Sequence, residues 1–193
     1  MKIIDNFLEE EYFNTLAGLI CNTDFQFTWF YGRYLREVSL FHANRKLFPS
    51  QYEEFVQRTS RHSDLLQYFF THLFYEKNIP QSPHYNQHEI NVQGLCGEID
   101  ERGEGIKSLL RIRANYFQNT STLHEYDMHI DYKFHHTAAI LSLNTCDGYT
   151  KLKDGTKIDS VANRMLFFDA GSPHCSTTTT NKNARFNLIV NYL

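Results

Sequence analysis

The sequence is short of the features that mark several large functional classes. Its four cysteines (Cys21, Cys96, Cys146 and Cys175) form no C-x-x-C pair, so zinc-ribbon and thioredoxin-like spacings are absent and reduced thiols are expected. No run of Lys and Arg exceeds two residues and the formal net charge is −3, which gives no strong nucleic-acid signal. No stretch reaches about 18 uninterrupted apolar residues, and the amino terminus shows no charged-then-apolar leader. Neither a membrane span nor export is expected; the expected location is the cytoplasm, of the cell itself or of an infected host. With only four prolines and nine glycines, nothing resembles a linker, a repeat or a low-complexity tract. A single domain over residues 1–193 is the expectation.

Aromatic residues are abundant instead, with twelve Tyr and sixteen Phe, as suits pleated, half-buried surfaces. Two halves are predicted: residues 1–88, mainly helical, and 89–193, a strand-rich core. Asn6-Phe7-Leu8-Glu9 reads as a capping box before Leu8, Tyr12, Leu16, Leu19 and Ile20 at helical spacing. Phe25 to Val38 is expected to be extended, with a turn at Gly32. Ser50 to Glu53 is a second capping box, and Ser63 precedes a helical pattern running through Leu65, Phe69, Leu73 and Phe74 to Asn78. Strands are predicted at Glu89–Leu95, Ser108–Phe117, His136–Asn144, Arg164–Asp169, Cys175–Thr180 and Arg185–Tyr192. Asp100 to Gly105 reads as a mobile loop and Asn119 to Glu125 as a polar connection, at least one of which should close over a site. Asp154-Gly155 suits a two-residue type I′ hairpin between Tyr149 and Ser160. The fold class is α+β, mainly β: a jelly roll or barrel with N-terminal helices packed on one sheet.

Chemistry concentrates between Tyr126 and Arg185. His129 and Asp131 are two apart in an apolar run, so a strand would place both on one face. His174 follows the strand-like Arg164–Phe168. Two imidazoles and one carboxylate with open positions form the facial triad of non-haem Fe(II) oxygenases. Arg185, eleven residues after His174, opens an apolar strand, where a buried cation needs a partner. Taken alone, His129 and Asp131 read better as a hydrogen-bonded surface pair, a reading that His174 and Arg185 reverse; Asp127 with His129 makes a rival i, i+2 pair, and His124, His135 and His136 are further donors. His135 and His136 cannot both face inward on a regular strand. Arg111 and Arg113 suit either an acidic substrate or a solvated sheet face, while Asn163 and Arg164 read as turn-shaping residues.

In order and spacing, His129-Ile130-Asp131, Ala139 to Asn144, Asp147-Gly148, Asn163 to Phe168, Pro173-His174 and Arg185 resemble the Fe(II)/2-oxoglutarate-dependent dioxygenases, specifically the prolyl 4-hydroxylase-like branch with its phage and bacterial members. The resemblance covers roughly the last 80 residues. It implies a double-stranded β-helix, with His129, Asp131 and His174 as metal ligands and catalytic residues. It also implies Fe(II), 2-oxoglutarate and O2 as cofactors, ascorbate as a candidate reductant, and Arg185 pairing with the distal carboxylate. The implied reaction hydroxylates a C–H bond and releases succinate and CO2. The substrate would be a protein or peptide side chain such as proline, or alternatively a small molecule or nucleobase; a cupin-like barrel that only binds metal or ligand is the third reading. Related halogenases lack the carboxylate that Asp131 supplies, so hydroxylation is expected. Ser142 stands where related prolyl hydroxylases often carry a Tyr that contacts 2-oxoglutarate. Ser142, Asn115, Tyr116 and Tyr126 are therefore the candidate further cosubstrate contacts.

Overall fold

A computed structural model describes residues 1–21, 30–32, 69–76, 86–102 and 105–193. In chain order the elements are β1 (Lys2–Ile4), α1 (Glu10–Cys21), β2 (Phe30–Gly32), β3 (Phe69–Glu76), α2 (Asn86–Arg102), β4 (Leu109–Gln118), β5 (Thr137–Ser142), β6 (Tyr149–Leu152), β7 (Lys157–Asp159), β8 (Arg164–Asp169), β9 (His174–Ser176) and β10 (Ala184–Tyr192). Seven strands make a major sheet in the order β1-β8-β5-β10-β4-β3-β2, and three make a minor sheet, β7-β6-β9. Among the described residues every pair of neighbouring strands is antiparallel. The crossed strand order and two facing sheets are those of a double-stranded β-helix, mainly β, with two helices among the described residues.

The alternation of β5, β8 and β10 sorts their side chains onto two faces. Ala139, Leu141, Met165, Phe167, Leu188 and Val190 face outward, where Phe13, Leu16 and Ile20 of α1 and Leu95 and Ile99 of α2 cover them. Burying each of these large side chains contributes about 1.5–3 kcal/mol. Ala138, Ile140, Leu166, Phe168 and Ile189 face inward, against Ile158 and Leu152 of the minor sheet. The near-continuous apolar run Ala138–Leu143 is thus buried on both faces, as its sequence implies.

Several expectations for the first half need correction. The helix after Asn6 forms, but it begins at Glu10, and Phe13 N donates to Glu9 O at 2.9 Å. Asn6 is not its cap: its φ of 50° places it in a left-handed turn. Residues 69–76, predicted helical, are a strand registered against β4. Glu89–Leu95, predicted as a strand, lies inside α2, and the boundary drawn at residue 88 falls within that helix. Leu95 and Ile99, four apart and fully buried, give the helical period that a window ending at Leu95 could not contain. Asp100–Arg102 complete α2 rather than starting a loop. Gly32 is the last residue of β2, and whether a turn follows it lies outside the described residues. The Ser50–Glu53 capping box and the rest of Phe25–Val38 lie outside the described residues.

The hairpin also differs. Leu152 N donates to Thr156 O, and Gly155 N to Leu152 O, both at 2.9 Å. The loop therefore has three residues, with only Gly155 at positive φ (89°), whereas a type I′ turn would need Asp154 there too. Asn163 (φ 60°) and Arg164 are structural, as read from sequence. Asn163 exchanges side-chain hydrogen bonds with the backbone of Leu8, at 2.9 and 2.8 Å, and Arg164 grips Asp5 through Nε at 2.6 Å and Nη2 at 3.0 Å. Among the described residues no helix is long and apolar enough to cross a membrane.

Candidate metal centre

His129 lies in the connection between β4 and β5, and His174 opens β9. The two exchange backbone hydrogen bonds, N to O at 2.9 Å in both directions. This bridge pins the segment before β5 to the minor sheet and holds the two rings 4.5 Å apart, centroid to centroid. Asp131 follows with its N donating to Ala170 O at 3.1 Å. One ligand atom from each of His129, Asp131 and His174 lies within 4.8 Å of the other two. Among the described residues no other group of three His, Cys, Asp or Glu converges in this way. The rival pair is excluded: Asp127 is exposed and points only its backbone carbonyl at His129. His135 is exposed and pairs with Asp169 at 2.7 Å, while His136 is buried, so only one of the two faces inward.

Both imidazoles are oriented for a metal. His129 Nδ1 lies 3.4 Å from Asp127 O and His174 Nδ1 3.0 Å from Ser172 O. A proton on each Nδ1 leaves Nε2 as the lone-pair atom, as outer hydrogen bonds do for ligating histidines. His129 Nε2 is buried with no hydrogen-bond partner. Burial pushes the His129 pKa down to about 4, helped by His174 and opposed by Asp131. Burial likewise lowers that of His174. For Asp131 burial acts upward, but Arg111, His174, Arg113 and His129 outweigh it and hold the carboxyl below its usual range. The site therefore offers two neutral imidazoles and one carboxylate at pH 7, which suits Fe(II) and leaves positions open.

These shifts share one sign. The unfolded chain takes up protons that the native histidines refuse, so stability present above about pH 6.5 is lost as pH falls toward 4. The metal-free protein should melt at progressively lower temperature between pH 7 and 5, with a shallower slope in His129→Gln. Calorimetric scans across that range would test it, and a flat wild-type profile would contradict it.

Asp131 is held from two further strands. Asn191 Nδ2 of β10 donates to Oδ2 at 2.8 Å, and Arg111 Nη2 of β4 sits 3.0 Å from Oδ1. Arg111 also reaches Asn191 Oδ1 through Nε (3.2 Å) and Nη2 (3.1 Å). Arg111 and Arg113 are 2% and 1% exposed, which excludes a solvated face for either. Neither Arg111 nor Asn191 was assigned this role from sequence. The signal available was parity: β4 puts Arg111, Arg113 and Asn115 on one face, and β10 does the same for Arg185, Asn187 and Asn191.

Arg185 is 1% exposed on that face. Its Nη2 donates to Thr150 Oγ1 at 3.0 Å and its Nη1 to Thr177 O at 3.3 Å; Nε has no partner, and among the described residues no carboxylate pairs with it. The guanidinium lies 5.3 Å from the Phe117 ring centroid. Burial lowers its pKa to about 10, which still leaves it charged at pH 7. Tyr126 is half-buried against Phe117 at 5.6 Å; burial raises its pKa and Arg185 opposes the rise. Ser142 and Asn115 are buried at the positions opposite Asn187. Tyr116 is not a contact: it sits on the outer face, its ring 5.2 Å from Phe186.

Gly148 makes room for Arg185. A Cβ there would lie 2.6 Å from Arg185 Cδ and 2.7 Å from Thr178 O, the latter rigid backbone. Gly148→Ala should cost about 1–3 kcal/mol in stability and displace the guanidinium; denaturant titration would measure the first. The Asn119–Glu125 connection is fastened rather than free. Thr120 N donates to Thr179 O and His124 N to Thr178 Oγ1, at 2.9 and 2.8 Å, so this segment is not a hinged cover.

No family model matches the sequence, and no curated protein sequence matches it. Solved structures do match. A prolyl hydroxylase from Trichoplax adhaerens, in complex with a hypoxia inducible factor peptide fragment, aligns over 100% of this chain and 82% of its own, with TM-score 0.59 and 15% identity. The non-heme alpha-ketoglutarate-dependent epimerase SnoN of nogalamycin biosynthesis aligns over 99% and 77%, with TM-score 0.56 and 7% identity. The viral collagen prolyl hydroxylase of Paramecium Bursaria Chlorella virus-1, in its 2-oxoglutarate complex, aligns over 100% and 95%, with TM-score 0.51 and 10% identity. The chain shares the double-stranded β-helix fold of these structures.

Proposed function

We propose that this chain is an Fe(II)- and 2-oxoglutarate-dependent dioxygenase that hydroxylates a substrate C–H bond, with a protein or peptide side chain, proline foremost, as the substrate. One observation carries the reading: His129, Asp131 and His174 converge within 4.8 Å, on the same scaffold as a buried Arg185 that has no carboxylate partner among the described residues. The donor set fits Fe(II), and a planar guanidinium fits the far carboxylate of a diacid.

His129 Nε2, His174 Nε2 and the Asp131 carboxylate would hold the metal. When bound, iron with 2-oxoglutarate and O2 supplies oxidising power for C–H hydroxylation, leaving succinate and CO2. The protein fixes the geometry. Ser172 O and Asp127 O set the imidazole tautomers, Asn191 and Arg111 hold Asp131, and Arg185 orients the cosubstrate. Leu123, Met128, Ile130 and Phe134, all exposed on the segment that carries two of the ligands, support an apolar substrate contact. The four free cysteines fit a reducing compartment such as the cytoplasm.

Anaerobic addition of Fe(II) and 2-oxoglutarate should produce a weak visible charge-transfer band, and a proline-containing peptide should stimulate succinate release. Succinate released only with small molecules or nucleobases would move the substrate to that class. A protein that holds zinc tightly and consumes no 2-oxoglutarate after iron reconstitution would be a binding barrel.

A further inference from the structure

Asn187 carries hydrogen-bonding capacity that no described residue uses. It is 0% exposed, and among the described residues neither Oδ1 nor Nδ2 has a partner. On β10 it lies two residues from Arg185 and four from Asn191, all of one parity and so on one face. Asn191 reaches Asp131, so Asn187 stands between the guanidinium and the metal-ligating carboxylate. Across the strands it faces Asn115 on β4 and Ser142 on β5. Three buried polar side chains thus form a row on adjacent strands, beside the cation.

Inside the protein an amide needs both a donor and an acceptor partner, and an apolar residue of similar volume would need neither. An orphaned amide at this position implies an occupant with acceptor oxygens. We infer that Asn187 is a binding residue for the keto diacid anchored by Arg185, with its Nδ2 donating to a ligand oxygen and the Ser142 hydroxyl facing it across the strand. The inference rests on the oxygenase reading above. It makes anion recognition a two-point contact from one strand, and it adds Asn187 to the cosubstrate contacts expected from sequence.

The full-length chain and its Asn187→Leu and Asn187→Ser variants should be compared in two measurements. The first is the melting temperature without ligand; the second is 2-oxoglutarate affinity of the metal-loaded protein under anaerobic conditions, by calorimetry. Asn187→Leu should melt no lower than the parent, because no hydrogen bond is lost, yet bind 2-oxoglutarate about tenfold or more weakly. Asn187→Ser should also bind more weakly, and metal affinity should be unchanged in both. Variants that melt lower but bind 2-oxoglutarate as the parent does would make the amide structural and overturn the inference. A parent chain that binds metal but no 2-oxoglutarate would overturn both readings; undiminished binding in the variants would overturn this one alone.

Discussion

His174→Ala should abolish the charge-transfer band expected on anaerobic addition of Fe(II) and 2-oxoglutarate, and weaken metal binding by at least about 100-fold. Loss of an outer hydrogen bond to a metal ligand already costs about 10–100-fold, and this change removes a ligand itself. His174 is a cleaner probe than Asp131. Its ring contacts His129 and Phe168, and among the described residues its side chain hydrogen-bonds only to Ser172 O, so truncation strands no charge there. Removing Asp131 would leave Arg111 buried without its carboxylate, and breaking a buried pair costs about 3–5 kcal/mol, enough to confuse lost binding with lost folding. The measurement is the absorption titration, with circular dichroism to check that the variant folds. A band of undiminished intensity in His174→Ala would remove the metal centre from the proposal.

Arg185→Met should weaken 2-oxoglutarate binding by about 100-fold while leaving metal affinity intact, since a charge-assisted hydrogen bond contributes about 1.5–3 kcal/mol and a guanidinium can make two. A second readout separates binding from packing. An arginine buried for structural reasons has a carboxylate partner, and its loss destabilises; among the described residues Arg185 has only Thr150 Oγ1 and Thr177 O as hydrogen-bond partners. A buried cation without a counter-ion is costly, and apolar replacements of similar volume are often neutral or stabilising. The unliganded variant should therefore melt no lower than the parent, and the rise in melting temperature that 2-oxoglutarate gives the parent should vanish. A large drop in the unliganded melting temperature, with 2-oxoglutarate affinity retained, would make Arg185 a core residue instead.

The strand-rich half was legible because its signals are local. Period-two alternation in 108–117 and 185–192, the doubly apolar 138–143 and the turn at Gly155 each place an element within a few residues of where it lies. The helical half misled for a physical reason. An aromatic run such as Phe69-Phe70 to Phe74-Tyr75 satisfies both periods, and pairing with β4 decides in favour of the strand. At 89–95 a short alternation competed with a longer helix whose deciding contacts, Leu95 and Ile99, fall at or beyond the end of the window read.

The candidate ligand cluster was legible for a different reason: His129, Asp131 and His174 are rare metal-donor types, and the structure brings one ligand atom of each within 4.8 Å of the others. The residues that support them were not. Asn191 and Arg111 meet Asp131 only because β10 and β4 lie side by side, in a register that sets Asn191 opposite Arg111. The same register sets Asn187 opposite Ser142. The sequence by itself determined which side chains can donate to a metal or grip a carboxylate, because that chemistry belongs to residue type. Only the tertiary structure decided which of them share a face, which imidazole nitrogen is free and which polar groups lack partners, because those depend on contacts between strands tens of residues apart.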